Sequence, residues 1–236
     1  MGKIKLFCFP YAGGSARNYI RWNKALGEDI DLIPIELRGR GDRNDEPFYD
    51  SIEEAVDDIY LIIKDKIYST PYAFFGHSMG AYIAFELARK IQHYGNNPPV
   101  QLFASGKEAP QNNKLKLYGL SNEEFKRGMI ALGTAPEIFE DEELFNIFGS
   151  RLRADCKILD KYKFKKESCK LNSDITVLYG REDSSISIDE FLSWKIHTGK
   201  SFDIRCFDGG HLFLNSSVKE LTNYLKECLS QYYQSK

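Results

Sequence analysis

Six short apolar runs, Ile4 to Phe9, Asp31 to Ile35, Tyr72 to Phe75, Val100 to Ala104, Ile175 to Tyr179 and Phe202 to Phe207, alternate with amphipathic stretches along this chain. Most of these runs are continuous rather than alternating with polar residues, as expected of strands covered on both faces. The stretches between them, Arg17 to Leu26, Ser51 to Tyr68, Met79 to Tyr94, Asp189 to Ile196 and Ser216 to Tyr233, carry apolar residues at helical spacing. Gly27 and Gly95 stand where two of those helices should stop. Ser51 with Glu54, and Ser121 with Glu124, have the spacing of a capping box. Strand and helix in alternation imply an α/β fold, a mostly parallel twisted sheet with helices on both faces.

One stretch breaks the alternation. From about Pro110 to about Leu171 no strand is expected, but helical patterns occur at Ser121 to Leu132, Asp141 to Phe148 and Leu152 to Phe164. Roughly 60 residues is far more than the dozen or so that a crossover needs, so residues 110–171 read as a helical lid inserted over the C-terminal edge of the sheet. The expectation is one domain, 1–236, carrying that insertion. A hydrophobic fraction of 42% is enough for a core, and a net charge of −2 gives no support to nucleic-acid binding. No apolar stretch approaches the ~20 residues that span a bilayer, and the N-terminal run is too short for a secretory signal. The five cysteines are scattered, without C-x-x-C spacing. They suggest free thiols in a reducing cytoplasm and no metal site, with Cys8 and Cys206 as small core residues. Lys161 to Lys166 reads as a solvated basic helix face.

The chemistry concentrates at Gly76-His77-Ser78-Met79-Gly80, which follows one apolar run and opens a helical one. Strand, sharp turn and helix is the arrangement of a nucleophile elbow. A serine hydroxyl is a weak nucleophile near neutral pH, so it must be exposed beside a base and near backbone N–H donors. Glycines at both ends leave room where strand and helix approach.

Four histidines are present, and the base should follow the nucleophile in chain order. His211, in Asp208-Gly209-Gly210-His211 directly after a strand, is the expected general base; His197 is the alternative, at the end of a helix where a histidine caps or faces water. His77 points away from the hydroxyl and reads as a packing or hydrogen-bonding residue. The acid that orients the imidazole belongs on the loop after a neighbouring strand, which favours Asp183 in Gly180-Arg181-Glu182-Asp183. Glu182 and, from the insertion, Asp155 are its rivals, while Asp208 reads as a turn residue. Oxyanion stabilisation calls for the N–H of Met79 and a second donor in Phe9-Pro10-Tyr11-Ala12-Gly13-Gly14-Ser15, placed at Ala12 with Tyr11 as fallback.

Several blocks together resemble the type II thioesterases, the stand-alone editing hydrolases of nonribosomal peptide and polyketide synthesis. They are Phe9 to Ala16, Leu37-Arg38-Gly39-Arg40-Gly41-Asp42-Arg43, Gly76 to Gly80, Leu152-Arg153-Ala154-Asp155, Gly180 to Asp183 and Gly209-Gly210-His211, in the family's order and over nearly the whole chain. Arg38 and Ser150 stand where prolines are usual. The resemblance implies an α/β-hydrolase fold with Ser78, Asp183 and His211 as catalytic residues. It also implies hydrolysis of an acyl thioester on the phosphopantetheine arm of a carrier protein, with no cofactor of the enzyme's own. Because carriers are generally acidic, Arg38, Arg40, Arg43, Lys161, Lys163, Lys165 and Lys166 are candidate docking cations. Phe139, Phe145, Phe148 and Tyr162 are either acyl-channel or packing residues. The rival readings are a carboxylesterase or lipase acting on free esters, an acyl transferase or cyclase, and a non-catalytic assembly protein. A monomer is expected.

Overall fold

The computed structural model describes residues 3–68, 70–114, 116–166 and 169–234. Strands β1 (Ile4–Phe9), β2 (Ile30–Pro34), β3 (Tyr72–His77), β4 (Gln101–Ser105), β5 (Asp174–Gly180) and β6 (Phe202–Phe207) form one sheet in the order β2-β1-β3-β4-β5-β6. Every pairing is parallel. Each expected run is therefore a strand, with its ends moved by one or two residues at most. The central strands β3 and β4 are buried along their whole length, whereas β6, at an edge, exposes Asp203 and Arg205 between half-buried neighbours.

The helices are α1 (Arg17–Ile20), α2 (Asn23–Leu26), α3 (Ile52–Ile63), α4 (Met79–His93), α5 (Asn122–Ala131) and α6 (Glu137–Glu140). They continue with α7 (Glu142–Leu144), α8 (Ser150–Lys161), α9 (Ile188–Leu192), α10 (Phe213–Ser216) and α11 (Val218–Gln234). Successive strand residues point to opposite faces, and the core divides accordingly. Phe7, Phe9, Phe74 and Leu102 pack with α3 and α4 on one face. Leu6, Cys8, Phe75 and Phe103 pack with α1, α2 and α11 on the other. This is the α/β-hydrolase architecture. Because β1 leads to helices on one face and β3 to α4 on the other, the C-terminal ends of these adjacent strands flank a topological switch point, where such sheets bind ligands.

The helix expected over Arg17 to Leu26 is two short helices with a tighter turn at Arg21–Trp22. The turn lets Tyr19 and Trp22 bury together, their rings 4.9 Å apart, with Trp22 5.0 Å from Phe75. Asp189 to Ile196 likewise divides into α9 and a 3-10 turn, Ser193–His197, whose Trp194 is fully buried. Ser121 and Glu124 form the full capping box; Ser51 caps α3, but Glu54 bonds the N–H of Asp50 instead of returning to Ser51. The expected Leu152 to Phe164 helix is α8, starting earlier and ending where Tyr162 turns extended.

Between β4 and β5 no strand occurs among the described residues; positions 115, 167 and 168 lie outside them. α5, α6, α7 and α8 fill the interval, with a wide π turn, Phe145–Gly149, joining α7 to α8. These helices enclose a small core of Leu117, Phe125, Met129, Phe139, Leu152 and Cys156. α8 reaches both cores, since Ile158 and Leu159 belong to the main one. No helix among the described residues is long and apolar enough to cross a membrane.

Two glycines set how closely α4 meets the sheet. A Cβ on Gly76 would lie 2.1 Å from the Gly80 carbonyl oxygen, and one on Gly80 would lie 2.2 Å from that of Phe9. Gly76→Ala should therefore lower unfolding free energy by about 1–3 kcal/mol or more through overpacking of main chain on main chain. Denaturant unfolding checks this, and an unchanged midpoint would contradict it.

Candidate active site

Ser78 joins the end of β3 to the start of α4 with φ 51° and ψ −115°, and among the described residues no other non-glycine residue has positive φ. That conformation costs about 1–3 kcal/mol. It is held by the surrounding main chain: the Ser78 N–H donates to the Ser105 carbonyl at 2.8 Å, and the glycine contacts lock α4 against the end of β1. The hydroxyl is thereby fixed at the sheet's C-terminal edge.

The loops after β5 and β6 bring in the other two groups. They are joined by Arg181 N–H to the Phe207 carbonyl at 2.8 Å and Glu182 N–H to the Gly209 carbonyl at 3.0 Å. Across this junction His211 Nδ1 lies 2.7 Å from Asp183 Oδ2, with the two side chains 8% and 3% exposed. A carboxylate only accepts, so Nδ1 carries a proton, which leaves Nε2 as the nitrogen able to take one up. Burial alone would raise the Asp183 carboxyl; the bond from His211, its charge, and bonds from the Ser185 hydroxyl and N–H outweigh burial and bring it down to about 2. It is ionised at any working pH, as an imidazole-orienting group must be.

Ser78 and His211 line the same two cavities. One, of about 40 Å³, is bounded by Ala12, Met129, Cys156 and Leu159 and is mainly apolar. The other, of about 230 Å³, carries the charged residues Lys107, Glu108, Lys114 and Glu190 in its wall. Ala12 faces the first cavity, and neither its N–H nor that of Met79 donates to a protein acceptor among the described residues. The N-terminus of α4 and the loop after β1 thus each bring a main-chain N–H without a protein acceptor to the neighbourhood of the serine. Tyr11, the fallback donor, also lines that cavity, with its ring edge-on to His77.

A thioesterase-domain family model matches residues 4–232. The chain belongs to the thioesterase family. Linear gramicidin dehydrogenase LgrE of Brevibacillus parabrevis is 34% identical, over 98% of this chain and 89% of its own length. Among solved structures, ClbQ from the colibactin NRPS/PKS pathway superposes with a TM-score of 0.92 at 30% identity, covering 100% of both chains. The type II thioesterase BorB from the borrelidin biosynthetic cluster gives a TM-score of 0.85 at 32% identity, over 95% of this chain and 92% of its own.

In this thioesterase the rival residues do other work. Glu182 is exposed, and Asp208 is a turn residue, paired with Arg181 at 3.2 Å. His197 neither caps a helix nor faces water: it is buried among Phe85, Phe164 and Trp194, bonded to Gln111 at 2.6 Å, and burial, then Arg89, lower its imidazole to about 4. His77 lies beneath the site, bonded to Ser105 at 2.8 Å with its ring 5.2 Å from that of His211. Burial, then the nearby His211, push His77 well below the usual histidine range, so it is a neutral packing group.

The arginines of the Arg38 to Arg43 block are paired within the chain. Arg38 pairs with Glu46, Glu54 and Asp58, and Arg43 with Glu46 and Asp58. Arg40 is wholly buried on Asp155, at 2.8 and 2.7 Å, and donates to the Gly14 carbonyl at 2.9 Å. Asp155 also accepts the Gly13 N–H at 2.7 Å. It is not the imidazole's acid; it ties α8 to the loop after β1. Lys161, Lys163, Lys165 and Lys166 are exposed. Of the four aromatics, Phe139 lies in the small core with Phe145 packed against it, and Tyr162 lies in the main core, bonded to Glu86. None of them lines the serine's cavities; only Phe148 lines the neighbouring one. Sequence reading passed over the Lys107–Glu108 pair, 3.0 Å apart and nearly buried, although its place just after β4 was a signal. No disulfide joins the cysteines, and no cluster able to hold a metal occurs, among the described residues.

A depressed carboxyl stabilises the fold above its unfolded pKa, about 3.9, and loses that contribution as pH falls toward its folded value. For Asp183 the window runs down to about 2. Wild type should lose stability there more steeply than Asp183→Asn in denaturant unfolding across pH; parallel profiles would contradict this.

Proposed function

We propose that this protein hydrolyses acyl thioesters carried on the phosphopantetheine arm of carrier proteins in nonribosomal peptide or polyketide synthesis, freeing carriers blocked by a wrong or stalled acyl group. The observation that carries this reading is the His211–Asp183 bond at 2.7 Å beside a strained Ser78, in a chain matched to the thioesterase family from end to end. His211 Nε2 takes the Ser78 proton as Oγ attacks the thioester carbonyl, and the N–H groups of Met79 and Ala12 bind the oxyanion. The C–S bond then breaks, and His211 returns the proton to the departing pantetheine thiol. Water, deprotonated by the same nitrogen, cleaves the acyl-enzyme and releases the acid and free Ser78.

The enzyme needs no cofactor in this scheme, because the pantetheine belongs to the carrier. It acts as a monomer in the cytoplasm. The apolar cavity beside Ser78 and His211 is the place for the acyl group. The dehydrogenase activity in the name of LgrE does not carry over: the loop after β1, Phe9 to Ala16, has no G-x-G-x-x-G turn for a dinucleotide.

Ser78→Ala should reduce hydrolysis of an acyl-loaded carrier by about 10³-fold or more, since a lost nucleophile is not replaced. Mass spectrometry of carriers loaded with short, medium and aminoacyl groups gives the rates, with the matching simple esters run in parallel. Loss within about tenfold would end the covalent mechanism; faster turnover of the simple esters would favour the carboxylesterase reading.

A further inference from the structure

A third cavity, of about 370 Å³, runs on from the site between the Tyr11 to Ser15 loop and the turn that leads into α8. It shares Tyr11, Ala12, Thr134 and Leu212 with the apolar cavity that holds Ser78 and His211. Its lining differs in charge from that of the 230 Å³ cavity. There Lys107 faces Glu108, and Lys114 faces Glu190, so each cation has its anion. Here Arg151 is the only charged residue among the described residues of the wall.

Arg151 is also poorly compensated. Its guanidinium lies 5.4 Å from the centroid of the Phe148 ring, which shares the wall, and its buried Nε has no hydrogen-bond partner. It forms no ion pair among the described residues. Asp155 and Glu36 are near, but Asp155 is engaged by Arg40 and the Gly13 N–H, and Glu36 accepts from the Ala16 N–H. Burial, then repulsion from Arg40, lower the Arg151 guanidinium below its usual range despite the attraction of both carboxylates. A cation held on an aromatic face, with donors unsatisfied, in an otherwise uncharged channel is arranged to receive an anion.

We propose that Arg151 binds the phosphate at the far end of the carrier's pantetheine arm, and that the arm reaches Ser78 along this channel. The proposal rests on the thioesterase reading above. Arg151 is not in the wall of either cavity that holds Ser78, so its anion belongs to a part of the substrate away from the reacting carbonyl. A carboxylate on a short acyl group would stay beside the serine. Planar, forked donors suit phosphate oxygens, and amides along the arm can pass the glycine-rich loop without needing a charged partner.

The test compares the same acyl group on pantetheine and on pantetheine 4′-phosphate. A charge-assisted hydrogen bond is worth about 1.5–3 kcal/mol, roughly 10- to 100-fold. Arg151→Gln should lower kcat/KM by about that factor on the phosphorylated thioester and leave the unphosphorylated one within about twofold, with Arg151→Lys in between. Equal losses on both, or loss on neither, would overturn the proposal. On wild-type enzyme, pantetheine 4′-phosphate should inhibit at least about tenfold better than pantetheine, and equal inhibition would also overturn it, whether or not the variants fold. Ser78→Ala separates the two readings: if it retained turnover of both thioesters, the hydrolytic mechanism would fail, while the phosphate preference would still be decided by the inhibition.

Discussion

The closeness of main chain to main chain around the first turn of α4 is the constraint on which the site depends. With no side chain at Gly76 or Gly80, the helix comes into contact with β3 and with the Phe9 carbonyl at the end of β1. The Ser78 oxygen, the Met79 N–H and the start of the Tyr11 to Ser15 loop then belong to one packed unit. Their main-chain separations are set by backbone packing, which is the preorganisation that electrostatic catalysis requires. The unfavourable φ of Ser78 is the local cost of that placement, and the completely buried strands β3 and β4 beneath it resist relaxation.

A second constraint reaches the site from outside the sheet. Asp155 on α8 holds the Gly13 N–H, and its partner Arg40 holds the Gly14 carbonyl, so the helices above the serine are bonded to the loop that borders its cavity. Replacing a buried ion pair with apolar residues is often neutral for stability, whereas removing one partner costs about 3–5 kcal/mol. The pair is better understood as fixing the position of a loop than as holding the fold together. The cations of the Arg38 to Arg43 segment are likewise each paired within the chain, Arg40 with Asp155 and Arg38 and Arg43 with Glu46, Glu54 and Asp58.

The sheet was legible because each strand is a bounded apolar run, and Ser78, Asp183 and His211 were legible because each follows such a run at a glycine-marked turn. The breaks at Arg21–Trp22 and before Ser193 were not, because the burial of Trp22 and Trp194 decides them and no local propensity announces it. The Ser187 and Glu190 capping box had the same spacing as those identified, yet went unread within a loop of small polar residues. His197 looked like a solvent-facing end residue because its partners, Gln111 and Phe85, are remote in sequence. Asp155 illustrates the same limit: a charged side chain whose buried partner, Arg40, lies far along the chain has no signature in its own neighbourhood.

The central claim is that Ser78 is a nucleophile activated by His211. The most direct measurement is labelling of the folded protein with a serine-directed fluorophosphonate, followed by intact-mass analysis and peptide mapping. One adduct per chain, on Ser78, formed rapidly in wild type and far more slowly in His211→Ala, is the result expected. No adduct at Ser78, or equal labelling rates in the two proteins, would contradict it.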